Sequence, residues 1–202
     1  MSVTLFERQR ETTFEKRRET PARSPRRGEL AHPECPIEQR LRGRDAATKA
    51  RFAQLAWRRD GAPEGALLVD EHDGLRVLAP SESVLTRAVA RIVRGLAGRV
   101  VDYPPAVRYV PGDPVLEPYM MVLAGGPQRH LPLVEKDLRR RRGRIVRASE
   151  RGGMFVVQAE APLAGLIGYR GWLAEWMEGG VPQLKVWLSR YLAVGDDGPR
   201  AA

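Results

Sequence analysis

The chain has 202 residues, a formal charge of +9 and 43% hydrophobic residues, enough to fold as one large or two small domains. The positive balance favours an anionic partner such as RNA, DNA or an anionic lipid surface. Arginine far outnumbers lysine and asparagine is absent, however, so compositional bias accounts for part of the excess. Cys35 is the single cysteine, which excludes an intrachain disulfide and points to a reducing compartment. No apolar run reaches the length of a bilayer span, and the N-terminus lacks a signal-peptide core, so a cytoplasmic protein is expected.

Residues 1–34 are rich in Glu, Arg, Thr, Pro and Ser and predict a basic, largely disordered arm. From Pro36 the composition changes. Ile37 and Leu41 mark a strand, and Asp45 is placed to cap a helix running to about Arg59, with Phe52, Leu55 and Ala56 on one face. Ala66 to Val69 and Leu75 to Leu78 flank an Asp73-Gly74 hairpin signal. Ser81 opens a second helix whose stripe is Val84, Leu85, Ala88, Val89, Ile92 and Leu96. Arg99–Val101 and Ala106–Val110 read as one last strand.

After Pro111-Gly112-Asp113-Pro114 the same order begins again. Val115 to Leu123 is a strand. Leu131, Val134 and Leu138 line a helix that ends at Gly143. Arg144–Ala148 and Met154–Ala159 flank the Gly152-Gly153 turn. Leu166, Tyr169, Leu173 and Trp176 recur at helical spacing. Leu184, Val186 and Leu188 then alternate with Lys185, Trp187 and Ser189. Each half has the order βαββαβ, so the expected fold is α+β: two tandem ferredoxin-like sandwiches over residues 35–111 and 112–194, with a polar tail at 195–202. In that fold two helices cover one sheet face and the other is free to bind.

The charged helix end Asp137-Leu138-Arg139-Arg140-Arg141-Arg142-Gly143 is the main candidate site. Cations at a helix C-terminus complement the macrodipole, and Gly143 suits the left-handed C′ position. At about 100° per residue the four arginines point all round the helix. Arg139 and Arg140 face outward, whereas Arg141 and Arg142 continue the apolar stripe and cover it with their stems. Arg144 and Arg147 follow closely, and Arg87, Arg91 and Arg94 form a second cationic stripe. For both groups the two readings are phosphate contact and plain solvated surface. Trp172 and Trp176 are candidates for a protein interface or for stacking on a base.

Three motifs carry a resemblance. Pro114-Val115-Leu116-Glu117-Pro118-Tyr119 is similar to the P-x-x-E-P-[IY] opening of the last domain of elongation factor G and its relatives. Asp137 to Ile145 resembles that domain's D-L-x-x-R-R-G-x-I signature, and Ala161 to Arg170 resembles its P-L-x-x-x-x-G-Y segment. The wording Gly165-Leu166-Ile167-Gly168-Tyr169-Arg170 is similar to the BipA/TypA branch of translational GTPases. More faintly, residues 36–111 resemble domain III of that family, with Glu82 and Leu85 standing where it has G-x-G-E-L-H-L. The resemblance implies domains III and V without a GTPase domain. There is no P-loop, and without asparagine no N-K-x-D motif, so GTP is not expected as a ligand. The family's Arg-Ser pair after Gly-Tyr is here Ala174-Glu175, which removes an RNA contact the resemblance would otherwise imply.

His32, His72 and His130 stand apart without metal spacing. No nucleophile motif or paired carboxylates appear; Asp70, Glu71 and Asp73 read as turn residues. No metal, no cofactor and no catalysis are expected. The resemblance implies a non-catalytic protein that occupies ribosomal RNA near the factor-binding region. The rival expectation is a protein-interaction subunit that reuses the fold. No membrane association is expected, and the oligomeric state is open.

Overall fold

The computed structural model describes residues 31–57, 65–97, 99–177 and 183–194. Most of the expected arm, the C-terminal tail, and the ends of the first helix and of the Trp172 segment lie outside them. Among the described residues no helix is long and apolar enough to cross a membrane.

The first sandwich comprises β1 (Ile37–Gly43), α1 (Ala46–Trp57), β2 (Leu67–Glu71), β3 (Gly74–Ala79), α2 (Glu82–Gly95), β4 (Val100–Asp102) and β5 (Ala106–Val107). Its sheet has the antiparallel order β2-β3-β1-β4, with β5 also pairing β1. Asp45 caps α1 as expected: its Oδ1 accepts from the Thr48 N–H at 2.7 Å, satisfying a donor that the helix start would leave without a partner. That bond also holds the Asp45 carboxyl below its ordinary pKa. Leu85, Ala88, Val89 and Ile92 form the buried stripe of α2. The expected single last strand is instead two short ones, β4 and β5, on either side of Tyr103, Pro104 and Pro105. Neither proline has an N–H to give to a ladder, so pairing is interrupted there.

The second sandwich comprises β6 (Leu116–Pro127), α3 (Leu131–Arg140), β7 (Arg144–Arg151), β8 (Met154–Pro162), α4 (Tyr169–Trp176) and β9 (Gln183–Ala193). The sheet order β7-β8-β6-β9 repeats that of the first sandwich. Met120, Val122, Phe155, Val157 and Ala159 alternate inward and are fully buried, against Val134 and Leu138 of α3 and Tyr169 and Leu173 of α4. Leu166 lies in the turn before α4 rather than within it. Trp176 is 52% exposed, and Met177, one turn beyond Leu173, takes the buried position instead.

Besides the backbone bridge between Val110 and Leu116, two side-chain hydrogen bonds among the described residues tie the sandwiches together. The Gly168 N–H at the start of α4 donates to Glu82 Oε1 at 2.9 Å, and the Tyr191 hydroxyl donates to the Pro33 carbonyl at 2.9 Å. Residues 31–34, which composition groups with the arm, are held from inside the fold. Arg108, itself buried, donates to the carbonyls of Ala31 (2.6 Å), His32 (2.9 Å) and Cys35 (2.6 Å). Cys35 is buried beside it, and burial, with Glu34 nearby, pushes its thiol up to about 11.

Candidate nucleic-acid interface

Helix α3 ends one residue earlier than its sequence indicates. Arg141 is the C-cap, and the left-handed residue is Arg142, with φ 63°, rather than Gly143. Gly143 N–H donates to the Leu138 carbonyl (2.8 Å) and Arg142 N–H to that of Arg139 (3.0 Å), the two bonds of a Schellman stop. Gly143 is required for a different reason. A Cβ there would stand 2.6 Å from the Leu138 carbonyl oxygen, a backbone atom that cannot swing away.

The four arginines divide two and two. Arg141 Nε donates to Asp137 Oδ2 at 2.6 Å and its Nη1 to the Gly165 carbonyl at 2.7 Å. Its guanidinium lies 5.1 Å from the Tyr169 ring centroid and 5.5 Å from that of Trp172. Arg142 makes a two-pronged contact with Glu117, at 3.1 and 3.0 Å, and Glu117 is 1% exposed. These two side chains therefore do more than cover apolar surface with their stems. They neutralise the buried carboxylates of Asp137 and Glu117, whose desolvation without a partner would cost several kcal/mol each. Arg139 and Arg140 point outward, 59% and 74% exposed; Arg139 pairs with Glu135, and Arg140 reaches back to the same buried Asp137 that holds Arg141.

This geometry accounts for the motif chemistry. The glutamate of the first motif meets the second arginine of the second motif. The aspartate of the second meets its own first arginine, which continues to the backbone of Gly165 and the ring of Tyr169 in the third. Burial raises the Tyr169 hydroxyl well above its ordinary pKa, with Asp137 acting in the same direction and Arg141 against it.

The remaining candidates do not join Arg139 and Arg140 in one patch. In the register Arg144 pairs with Glu160 and Arg147 with Gln158, positions that alternate with the buried Ala159 and Val157. Arg144 and Arg147 therefore stand on the open face of the sheet, opposite α3. Arg87, Arg91 and Arg94 lie exposed on α2 in the other sandwich, where Arg94 Nε donates to the Ala90 carbonyl. Trp172 is half-buried, stacked on Tyr169 with ring centroids 5.6 Å apart. Trp176 leans on it at 6.0 Å with its outer surface exposed. Among the described residues no group of three His, Cys, Asp or Glu side chains is gathered as a metal ion needs.

One outward aromatic has no role in the sequence pattern alone. Trp187 stands on the open sheet face, 45% exposed, in a row that runs Arg144, Glu160, Met121, Trp187 across the four strands. The signal is its place in the β9 alternation, opposite the buried-side Val186 and Leu188.

The fold and the buried lock at the α3 terminus define the class: tandem ferredoxin-like sandwiches, the second held by its own three motifs. Residues 114–180 match the family described as elongation factor G C-terminus. Elongation factor G 2 of Hahella chejuensis (strain KCTC 2396) is 46% identical over 57 residues, which are 28% of this chain and 8% of that protein. A crystal structure of a protein from Thermus thermophilus shares the fold with a TM-score of 0.53 and 15% identity, over 83% of this chain and 42% of that one. The chain therefore spans less than half the length of either relative.

Proposed function

We propose that this is a non-catalytic, cytoplasmic ribosome-binding protein that acts by occupying ribosomal RNA near the factor-binding region. The observation that carries the reading is the match of residues 114–180 to the elongation factor G C-terminus. Its motif arginines Arg141 and Arg142 are committed to the protein's own carboxylates, while Arg139 and Arg140 remain at the surface. Arg139, held by the i,i+4 pair with Glu135, exchanges that partner for phosphate at little cost, and Arg140 can turn to phosphate because Asp137 keeps Arg141. Arg144 and Arg147, and Arg87, Arg91 and Arg94, supply further positive charge on separate faces. Occupancy needs neither a cofactor nor GTP.

The test is ribosome pelleting across a salt series. The wild type is expected to co-sediment at low salt and to be released as salt rises. Arg139→Glu with Arg140→Glu is expected to weaken binding by about tenfold, as the loss of two phosphate contacts implies. Absence from the pellet at low salt overturns the reading. The exposed ring of Trp176, beside Glu175 on α4, favours a second reading: a protein partner seated on that helix. A complex that survives high salt and nuclease, and is lost in Trp176→Ala, would select it.

A further inference from the structure

The open face of the second sheet differs from an ordinary solvated surface in its layout. Successive rows across the strands place Arg144, Glu160, Met121 and Trp187 side by side, then Arg147, Gln158, Leu123 and Lys185. Arg151 and Met154 follow toward the hairpin. Cations line both outer strands, β7 and β9, and the middle is apolar. Gln158 Nε2 points at Met121 Sδ, 3.4 Å away, along this middle.

Glu160 is the one carboxylate among the described residues of this face, and it is already engaged. Ser189 Oγ (2.8 Å), Arg190 Nη2 (2.6 Å) and Arg144 Nη2 (3.3 Å) all donate to it. Burial alone would raise its pKa, but these bonds outweigh burial and hold the carboxyl below its ordinary value. It therefore stays ionised and cancels one arginine, and the face keeps a positive excess.

An exposed indole on a flat, twisted platform between two cationic edges fits one ligand chemistry: unstacked bases whose backbone phosphates run along the edges. A duplex fits poorly, because its bases are stacked inside and offer no ring face to Trp187. Strands at about 4.8 Å spacing make the platform roughly 14 Å across from β7 to β9, room for a few nucleotides rather than a helix. A protein partner would not require cations along both edges.

The geometry points to a binding site for single-stranded RNA on the open face of the second sheet, with Trp187 stacking on a base and Arg147, Arg151 and Arg190 meeting the phosphates. The site rests on the ribosome-binding reading and specifies what that reading leaves open: an unpaired RNA segment, on the face opposite Arg139 and Arg140.

The experiment uses the full chain and a fluorescein-labelled twelve-nucleotide oligouridine, followed by anisotropy, with the same oligomer in duplex as competitor. Trp187→Leu keeps the apolar volume without the aromatic face, and Trp187→Phe keeps a ring. Because Trp187 is exposed, both variants are expected to keep the wild-type thermal midpoint. Binding to the single strand is expected to weaken by about tenfold in Trp187→Leu and by about twofold in Trp187→Phe, with the duplex competing poorly. Equal affinity of Trp187→Leu and wild type overturns the site, as does a duplex that competes as well as the single strand. Capture of a nuclease-resistant protein partner that is lost in Trp187→Leu also overturns it, by giving the face to protein. Ribosome pelleting of the same variants separates the two claims. Wild-type pelleting with no Trp187-dependent oligomer binding sinks the site alone, whereas oligomer binding without pelleting sinks the ribosome reading alone.

Discussion

The two sandwiches share one strand order and differ in where their carboxylates stand. In the first, Glu38 lies on the open sheet face, 3.5 Å from Arg76 and 3.3 Å from Arg108, and Glu71 is 2.9 Å from Arg76. On that face both glutamates are taken up by Arg76 and Arg108, and the buried Arg108 also donates to the backbone of residues 31–35. In the second, the fully buried Glu117 and Asp137 stand at the end of α3 and hold Arg141 and Arg142 there. Glu160 alone is left among the cations of the open face. The comparison teaches that charge in a shared fold follows the pairing of its acids, and that counting arginines is a poor guide to which face binds an anion.

The largest effect is expected from Arg142→Ala, which strands Glu117 in the interior. A loss of about 3 kcal/mol is expected in urea unfolding, with hydrogen exchange rising in β6–β9 more than in β1–β3. Equal loss in both sheets would break the distinction between the sandwiches. Arg142→Gly sharpens it, because it also removes the ion pair but relieves a side chain held at φ 63°. It is expected to be about 1 kcal/mol less destabilised than the alanine variant.

A smaller effect concerns Glu160. Its folded pKa lies below the ordinary 4.5, so its stabilising bonds are complete above that value and are lost as pH falls through the folded one. Urea midpoints measured from pH 6 to 3 should decline less steeply in Glu160→Gln than in the wild type. Parallel declines would show that Arg144 and Arg190 contribute nothing through it. The smallest effect is expected from Arg139→Ala, whose ion pair lies at the surface, and from Arg140→Ala, after which Asp137 keeps Arg141, each within about 0.5 kcal/mol of wild type. A larger thermal shift would mean that the outer pair is structural too.

Much of this is legible in the sequence. Periodicity locates both βαββαβ orders, the Asp45 cap and the buried stripe of α2. The angular step of a helix also separates Arg139 and Arg140 from Arg141 and Arg142. Periodicity reports a face and not what that face meets, so it does not reveal Glu117 and Asp137 as the partners of the inner pair. Glycine is the usual left-handed residue, which favours Gly143 on paper, yet Arg142 takes that conformation and the close approach of the Leu138 carbonyl needs glycine one place later. Chain proximity groups Arg144 and Arg147 with α3, but the turn into β7 carries them to the opposite face. Trp187 stands on the outward side of β9, and only the cross-strand register reveals the cations on the far edge.

The Tyr191–Pro33 contact has a consequence for how the molecule is attached to anything else. Burial, with Cys35 and Glu34 adding to it and Arg108 opposing, pushes the Tyr191 hydroxyl up to about 12, so it remains a donor throughout the physiological range. It fastens the last strand to the segment that leads into the first. Whatever precedes residue 31 and whatever follows residue 194 thus start from one corner of the protein. Two weak attachments carried by those segments would be tethered at a common origin, and each would raise the local concentration of the other at a single site.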